Sequence, residues 1–422
     1  MAEETQPCPD CGTLVPFDPR FSPWCECGWN LEPPDRSHEW NAPSGPGRIY
    51  RALAAARATK LFEAAQRGSP ERPRWGLEGT LLLGASSLLV CGMLLPPVGG
   101  VLLLLEARES PILLVPAIFL LAVAVAFAPR PGRLEKESLT SKESHPRLHD
   151  LVRRVAAELK VDPPELIAIS ADLNAYVTRV GLRQRRALVV GLPLLALLDR
   201  EERVALLGHE MAHLANGDLT RGGIVHLAIH TLTVWIYLLE QPRPLDGSGI
   251  GGYAAWLVMI GASLVPRAML WVLIHLSYDR AQRAEYFADR LGASVAGTPA
   301  FVGLLERLLQ RHILELAQQR VVHHTTDRSV VDELVHLVHD TPPRERERLR
   351  RVAQLELSAL DTTHPPTAFR IRLLESHPVE GARIELDAEA NAALDRELAS
   401  AAARIDRELV DAFRARLYPL RR

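Results

Sequence analysis

Net charge is nearly absent from this chain: 49 Lys and Arg face 51 Asp and Glu, a formal charge of -2 over 422 residues. A dedicated nucleic-acid binder carries a basic footprint, so no nucleic-acid partner is expected. Aromatic residues are sparse at 5%, and cysteine numbers only five. Four of those five fall within the first 28 residues, which leaves the rest of the chain without the means for a disulfide framework. No apolar run precedes residue 79, so no cleavable secretory signal is expected and the start of the chain is expected to stay in the cytoplasm.

Charge is also missing locally. Residues 79–105 and 110–129 contain no Asp, Glu, Lys or Arg, and Leu, Val, Ala and Ile dominate both. Each could cross a bilayer, which takes about 20 apolar helical residues. Weaker windows lie at about 222–239 and 253–278. The first is short and holds His226 and His230; the second contains Arg267, so a buried core helix competes with a span for each. Either the last span ends near Pro266, or Arg267 faces a polar, protein-lined interior. Four transmembrane helices are expected. Arg51, Arg57, Lys60, Arg67, Arg72 and Arg74 precede the first span and Arg130, Arg133, Lys136, Lys142 and Arg147 follow the second, whereas the loop between holds only Arg108. Positive residues stay inside, so these spans form a hairpin with both ends cytoplasmic. A second hairpin, with residues 240–252 outside, keeps everything beyond 279 cytoplasmic. The expected location is a multi-pass inner (plasma) membrane, with both termini in the cytoplasm.

What is present at the start is a metal pattern. Cys8 and Cys11 are followed by Gly12, and Cys25 and Cys27 by Gly28. Two close cysteine pairs in a reducing compartment point to a tetrahedral structural zinc site, a ribbon over residues 1–32. The second pair is Cys-x-Cys rather than Cys-x-x-Cys, which keeps unligated thiols as the alternative. Eight acidic residues against Arg20 and Arg36 in the first 40 argue against a nucleic-acid ribbon. Phe17, Phe21, Trp24 and Trp29 could form a peptide-docking face, but in so small a domain they are expected to be its core. A Pro/Gly/Ser linker (33–48), a cytoplasmic helix (49–74) and the first transmembrane hairpin (75–130) follow. Short strands are expected at 166–169, 175–178 and 187–191, after a helix at 149–159. The segment 380–422 should form a long amphipathic helix that packs or caps without chemistry.

The chemistry concentrates in His209-Glu210-Met211-Ala212-His213, inside an apolar helical pattern. At i and i+4 two imidazoles leave one helix face and can share a zinc ion, with Glu210 placed to take a proton from water at the metal. So short a string recurs by chance, and a catalytic zinc needs a third protein ligand. A downstream helix at 278–291 offers Glu285, with Asp289 on the same face able to orient a ligating histidine through its second nitrogen. Ordinary surface acids beside Arg280, Arg283 and Arg290 are the alternative.

Together, the stretch 198–218, Glu285 with Asp289, and His364-Pro365-Pro366 with Arg370-Ile371 resemble the HtpX-like family of membrane-embedded zinc metalloproteases, relatives of the CAAX prenyl proteases. The resemblance covers roughly residues 75–376, with a metalloprotease domain at 145–376. It implies a mainly α integral membrane protein with a gluzincin-type domain and a small β-sheet. By that resemblance His209, His213 and Glu285 are the zinc ligands and Glu210 the general base. Asp289 supports a ligand, His364 stabilises the oxyanion, and Arg370 supports the acidic ligand helix. Asn174, Ala175, Tyr176 and Val177 resemble the edge strand on which an extended peptide is laid, which physically is β-augmentation. The implied substrates are proteins or peptides, with misfolded membrane proteins as the class.

His323, His324, His336 and His339 are expected to be solvated or core residues rather than a second metal site, and Cys91 a packing residue. Two other protein classes stay open: a catalytically silent scaffold or sensor bearing the ribbon, and a transporter, for which His226, His230, His275 and Arg267 are the only support. A processing protease with one ribbon-recruited substrate is the alternative within the enzyme class.

Overall fold

The computed structural model describes residues 4–31, 45–68, 76–126, 128, 132–181, 183–216, 223–240, 249–355 and 364–417. Most of the expected linker and most of the expected outer loop at 240–252 lie outside these residues. Along the chain run β1 (Thr5–Pro7), β2 (Leu14–Pro16), α1 (Gly45–Arg67), α2 (Leu77–Gly92), α3 (Leu95–Glu106), α4 (Leu114–Ala126) and α5 (Pro146–Glu158). Then come β3 (Leu166–Ser170), β4 (Ala175–Val180), β5 (Arg185–Gly191), α6 (Leu192–Leu197), α7 (Arg200–Asn216), α8 (Gly223–Leu239) and α9 (Gly249–Ala296). The chain continues through α10 (Thr298–Leu309), α11 (Ile313–Val322), α12 (Val330–His339), α13 (Pro343–Leu355), α14 (Thr367–Ser376) and α15 (Ala388–Leu417). Two compact units result, one of residues 1–72, 133–216 and 282–422, the other of 73–132 and 217–281.

The second unit is almost wholly apolar helix. Leu82 and Leu89 of α2 pack against Val225, Ala228 and Leu232 of α8 and Leu273 of α9. Among the described residues two helical stretches, Leu77–Glu106 and Gly249–Ala296, are long and apolar enough to cross a membrane. The other two expected spans are shorter helices, Pro111–Ala126 and Gly223–Leu239. The 17 residues of α8 rise about 25 Å, short of a hydrocarbon core about 30 Å thick. Pro266 sits inside α9 without ending it. Arg267, the charge that made this window doubtful, forms an ion pair with Glu240, whose carboxylate also accepts from the Ser263 hydroxyl at 2.8 Å. Cys91, expected to be packed, is exposed.

The first unit is built on a three-stranded sheet in the order β3-β5-β4. The apolar run of β5 is buried and takes the centre, with β3 parallel on one side (Ile167 opposite Leu188) and β4 antiparallel on the other (Tyr176 opposite Val189). This places β4 at the edge. One core joins β3 and β5 to α5, α6, α7, α10, α12 and α15 through residues such as Val155, Leu188, Leu207, Phe301, Leu334 and Ile405.

The helix α15 is part of that core rather than a peripheral cap. Leu394, Leu398, Ala401, Ile405 and Leu409, three or four residues apart, form its buried stripe. Glu397 accepts from the backbone amides of Arg147 and Leu148 at 2.8 and 3.2 Å, capping the N-terminus of α5. From α7, buried Arg203 donates to Asn391 at 2.8 Å and pairs with Asp395 at 2.7 Å. The final helix therefore fixes the start of the helix that carries His209.

Candidate metal centres

Helix α7 starts on a capping box, the Asp199 amide donating to the Glu202 carboxylate at 2.9 Å. Residues 202–212 of this helix are buried throughout. Its period brings His209 and His213 onto one face, their Nε2 atoms 3.2 Å apart. From α9, Glu285 places Oε2 3.6 Å from His209 Nε2 and Oε1 3.4 Å from His213 Nε2. Zinc bonds of about 2.0–2.1 Å in a tetrahedron set ligand atoms about 3.3 Å apart. Each of these separations is close to that spacing, with one Glu285 oxygen near each imidazole. The ligand atoms of His209, Glu285 and His364 also lie within 4.8 Å of one another, a group that could hold a metal. Glu210 is buried beside them at 5% exposure.

Two glycines set this closeness. A Cβ at Gly208 would stand 3.0 Å from the Gly292 Cα, and a Cβ at Gly292 would stand 2.3 Å from the Phe301 ring and 3.1 Å from the His209 amide nitrogen. The backbones of α7 and α9 thus cross at a pair of glycines adjacent to His209, and any side chain there would prise the ligand helices apart.

Behind these donor atoms runs a buried polar chain. Asp289 Oδ1 lies 3.0 Å from His209 Nδ1, and Arg370 grips the same carboxylate with two hydrogen bonds, Nε to Oδ2 at 2.8 Å and Nη2 to Oδ1 at 2.5 Å. Opposite this pair, His209 Nε2 faces the Glu285 and His213 donor atoms. Burial would raise the pKa of Asp289, but the Arg370 guanidinium more than offsets it and the carboxyl sits below its ordinary range. Glu285 behaves likewise: burial pushes up, while His213, His364 and His209 hold it down. Glu210 goes the other way, its pKa raised by burial that the neighbouring imidazoles offset only in part. His364 is placed with Nδ1 2.6 Å from Glu285 Oε2, its side chain 43% exposed.

The back of the site carries residues that the sequence did not single out. Phe62 of α1 stacks on Phe369, ring centroids 4.6 Å apart and 14° between planes. Ala58, Tyr286 and Leu373 complete that buried cluster. Tyr286 and Phe369 neighbour Glu285 and Arg370 in sequence, so α1 braces both helices from behind.

Of the expected peptide-binding residues, Ala175, Tyr176 and Val177 lie on β4, which runs against α7. Asn174 precedes the strand, its carbonyl accepting from the Gly191 amide at 2.8 Å. Tyr176 is exposed and Ala175 buried, as alternation along a strand requires.

The cysteines make a second centre. Cys8 Sγ lies 3.7 Å from Cys27 Sγ, and Cys11 Sγ 3.5 Å from Cys25 Sγ. A disulfide needs about 2.05 Å. With zinc–sulfur bonds of about 2.3 Å a tetrahedron has edges of about 3.8 Å, so four thiolates at these spacings could hold a metal. Gly12 and Gly28, both at positive φ, donate their amides back to the carbonyls of Cys8 and Cys25 and close the two turns. The Cys11 thiol is drawn down to about 6, first by hydrogen bonding to Thr13. Cys27 is pushed up to about 12: the Trp29 backbone draws it down, and burial and the other thiols outweigh that pull. The expected ribbon core is only partly right. Cys8, Val15 and Cys25 form the buried cluster with Trp29 packed against it, whereas Trp24 buries itself with Leu31 and Val352 of α13. His323, His324, His336 and His339 contribute to neither group of potential metal ligands found among the described residues.

A protease HtpX homolog from Pyrobaculum calidifontis is 30% identical over 244 residues, covering 56% of this chain and 69% of the relative. One from Thiobacillus denitrificans is 33% identical over 172 residues, 39% of this chain and 57% of the relative. A protease HtpX from Thioalkalivibrio sulfidiphilus is 32% identical over 172 residues, covering 39% of this chain. The chain thus spans little more than half the length of the latter two relatives, at 57% and 56%. No solved structure matches it. Residues 142–385, which contain both histidines, Glu285, Asp289, His364 and Arg370, match peptidase family M48, and with well over half of its length inside that match the chain belongs to this family.

Proposed function

We propose that the chain is a membrane-anchored zinc endopeptidase acting on proteins, with misfolded or membrane-inserted chains as its substrates. The observation that carries this reading is the convergence of His209 and His213, their Nε2 atoms 3.2 Å apart, on the Glu285 carboxylate, whose two oxygens lie 3.6 and 3.4 Å from them, with Glu210 buried beside it. Zinc bound there would acidify water and polarise the scissile carbonyl. Glu210 takes the proton from water and hands it to the departing amine, as its placement next to His209 permits. His364, on the exposed rim, donates to the carbonyl oxygen as negative charge develops. Asp289 and Arg370 keep His209 in one tautomer and orientation. An extended peptide adds to β4 beyond Asn174, Ala175, Tyr176 and Val177, so that backbone hydrogen bonds fix it while its side chains stay variable.

The four cysteines hold a structural zinc ion. Leu77–Glu106 and Gly249–Ala296 anchor the chain in the inner membrane, with the shorter apolar helices completing two hairpins and the peptidase unit and both termini on the cytoplasmic side; the basic clusters flanking 79–129 support that orientation. The test is casein hydrolysis by detergent-solubilised protein with 1,10-phenanthroline and after zinc is restored. Activity that disappears with chelation, returns with zinc, and is absent from His213→Ala is the expected result; chelator-resistant hydrolysis would refute it.

A further inference from the structure

The cysteine centre does not stand alone on its linker. Trp24 immediately precedes Cys25, and Glu26 lies between Cys25 and Cys27. Through these two residues the loop is fastened to α13. The Trp24 ring lies under the guanidinium groups of Arg344 and Arg351, 4.5 and 4.8 Å from its centroid. Arg344 donates to the Trp24 carbonyl at 2.5 Å and Arg351 to Glu26 at 2.6 Å. Trp24, Leu31 and Val352 are buried together. Every docking group except Leu31 thus sits on, or next to, the loop that supplies the second pair of ligands. The small ribbon core of Cys8, Val15 and Cys25 is too slight to hold such a loop without a metal.

Another side of α13 is tied to α14 and α10. Arg350 bridges Glu375 of α14 at 2.7 Å and Glu306 of α10 at 3.5 Å. Helix α14 carries Arg370, which grips Asp289 behind His209. The segment through Leu31 lies outside the family match at 142–385, whereas α13 and α14 lie inside it.

We propose that the cysteine ribbon is a metal-dependent clamp on the peptidase: loaded, it pins α13, and unloaded, it releases α13 and slackens α14 and hydrolysis with it. The proposal rests on the reading of His209, His213 and Glu285 as a zinc centre. It makes Trp24 a positioning residue that acts through α13, and it puts the ribbon's aromatic face to use within the chain rather than in substrate recruitment.

The test uses full-length protein in detergent: wild type, Trp24→Ala, the double variant Cys25→Ser/Cys27→Ser, and Arg344→Ala/Arg351→Ala, which leaves the ribbon itself untouched. Zinc content, hydrogen exchange of residues 343–355 and 367–376, and kcat and KM for a peptide are measured. Wild type should hold two zinc ions per chain with 343–355 protected. The cysteine variant should hold one, exchange in 343–355 at least tenfold faster, and lose kcat severalfold with little change in KM. The tryptophan and arginine variants should keep both ions and show the same loosening and the same loss. Variants as protected as wild type would overturn the clamp, and so would loosening with hydrolysis unchanged. Wild type lacking zinc at His209 would instead sink the underlying reading, whatever α13 does.

Discussion

The crossing of α7 and α9 at Gly208 and Gly292 makes a demanding prediction. In Gly208→Ala the new methyl would lie 3.0 Å from the Gly292 Cα and 3.4 Å from its carbonyl oxygen, against an ordinary contact of 3.4–4 Å. Both neighbours are backbone, so the helices themselves must separate, by a few tenths of an ångström. His209 Nε2 and Glu285 Oε2 stand 3.6 Å apart, which zinc bonds of about 2.05–2.1 Å span at an angle of about 120°. At about 3.9 Å the same bonds would need an angle near 140°, well away from tetrahedral. Stability should fall by no more than about 2 kcal/mol, because overpacking of about 1–3 kcal/mol is partly offset by about 1 kcal/mol of helix propensity gained on replacing glycine. Metal affinity should fall about 10–100-fold, the range seen when the groups that orient ligands are disturbed. Cobalt titration reads this site apart from the cysteines, whose thiolate charge-transfer absorption is distinct. Gly261→Ala, on α9 with open space around it, is the control. A Gly208→Ala protein with wild-type affinity and hydrolysis would refute the geometric argument.

Further outcomes follow from the buried polar chain and the helices around it. Arg370→Gln leaves Asp289 buried without its cation and should destabilise the peptidase unit by about 3–5 kcal/mol, read by denaturant unfolding. The pKa of Asp289 is lowered in the folded state from 3.8, so its contribution is present above about pH 4 and lost as pH falls further; Asp289→Asn should flatten the acid limb of stability against pH. Phe62→Ala empties the stack on Phe369 and should cost about 3 kcal/mol or more, with Phe62→Leu recovering part of it. Truncation after residue 387 removes Leu394, Leu398, Ile405 and Leu409 from the main core, and the shortened chain should fail to give a cooperative unfolding transition.

Local periodicity explains why the closeness of His209 to His213 and the shared face of Glu285 and Asp289 were legible from sequence. Imidazoles at i and i+4 must share a face, and so must Glu285 and Asp289, whatever the fold around them. The glycines after each cysteine pair marked turns for the same local reason. What escaped is long-range. Gly208 and Gly292 have no periodic signature, since the need for a missing side chain arises only where two backbones meet. Phe62 and Phe369 lie over three hundred positions apart, and an apolar residue on an amphipathic helix says nothing about its partner. The stripe of α15 was visible as a helix, but its burial in the core and the Arg203 and Glu397 links were not. Trp24 in a small domain reads first as core, and only its position against Val352 of α13 shows that it packs outside the ribbon's own cluster. The third apolar window illustrates a limit of composition: its helix forms, yet Gly223–Leu239 is shorter than a bilayer core requires of a straight span.

The central claim, that Glu210 works beside a zinc ion held by His209, His213 and Glu285, is tested most directly by Glu210→Gln. The amide keeps the size of the carboxylate and touches none of the donor atoms, so the variant should retain wild-type zinc content and lose casein hydrolysis by at least a thousandfold, about 4 kcal/mol of transition-state stabilisation. Hydrolysis persisting in a zinc-replete Glu210→Gln protein would contradict the account.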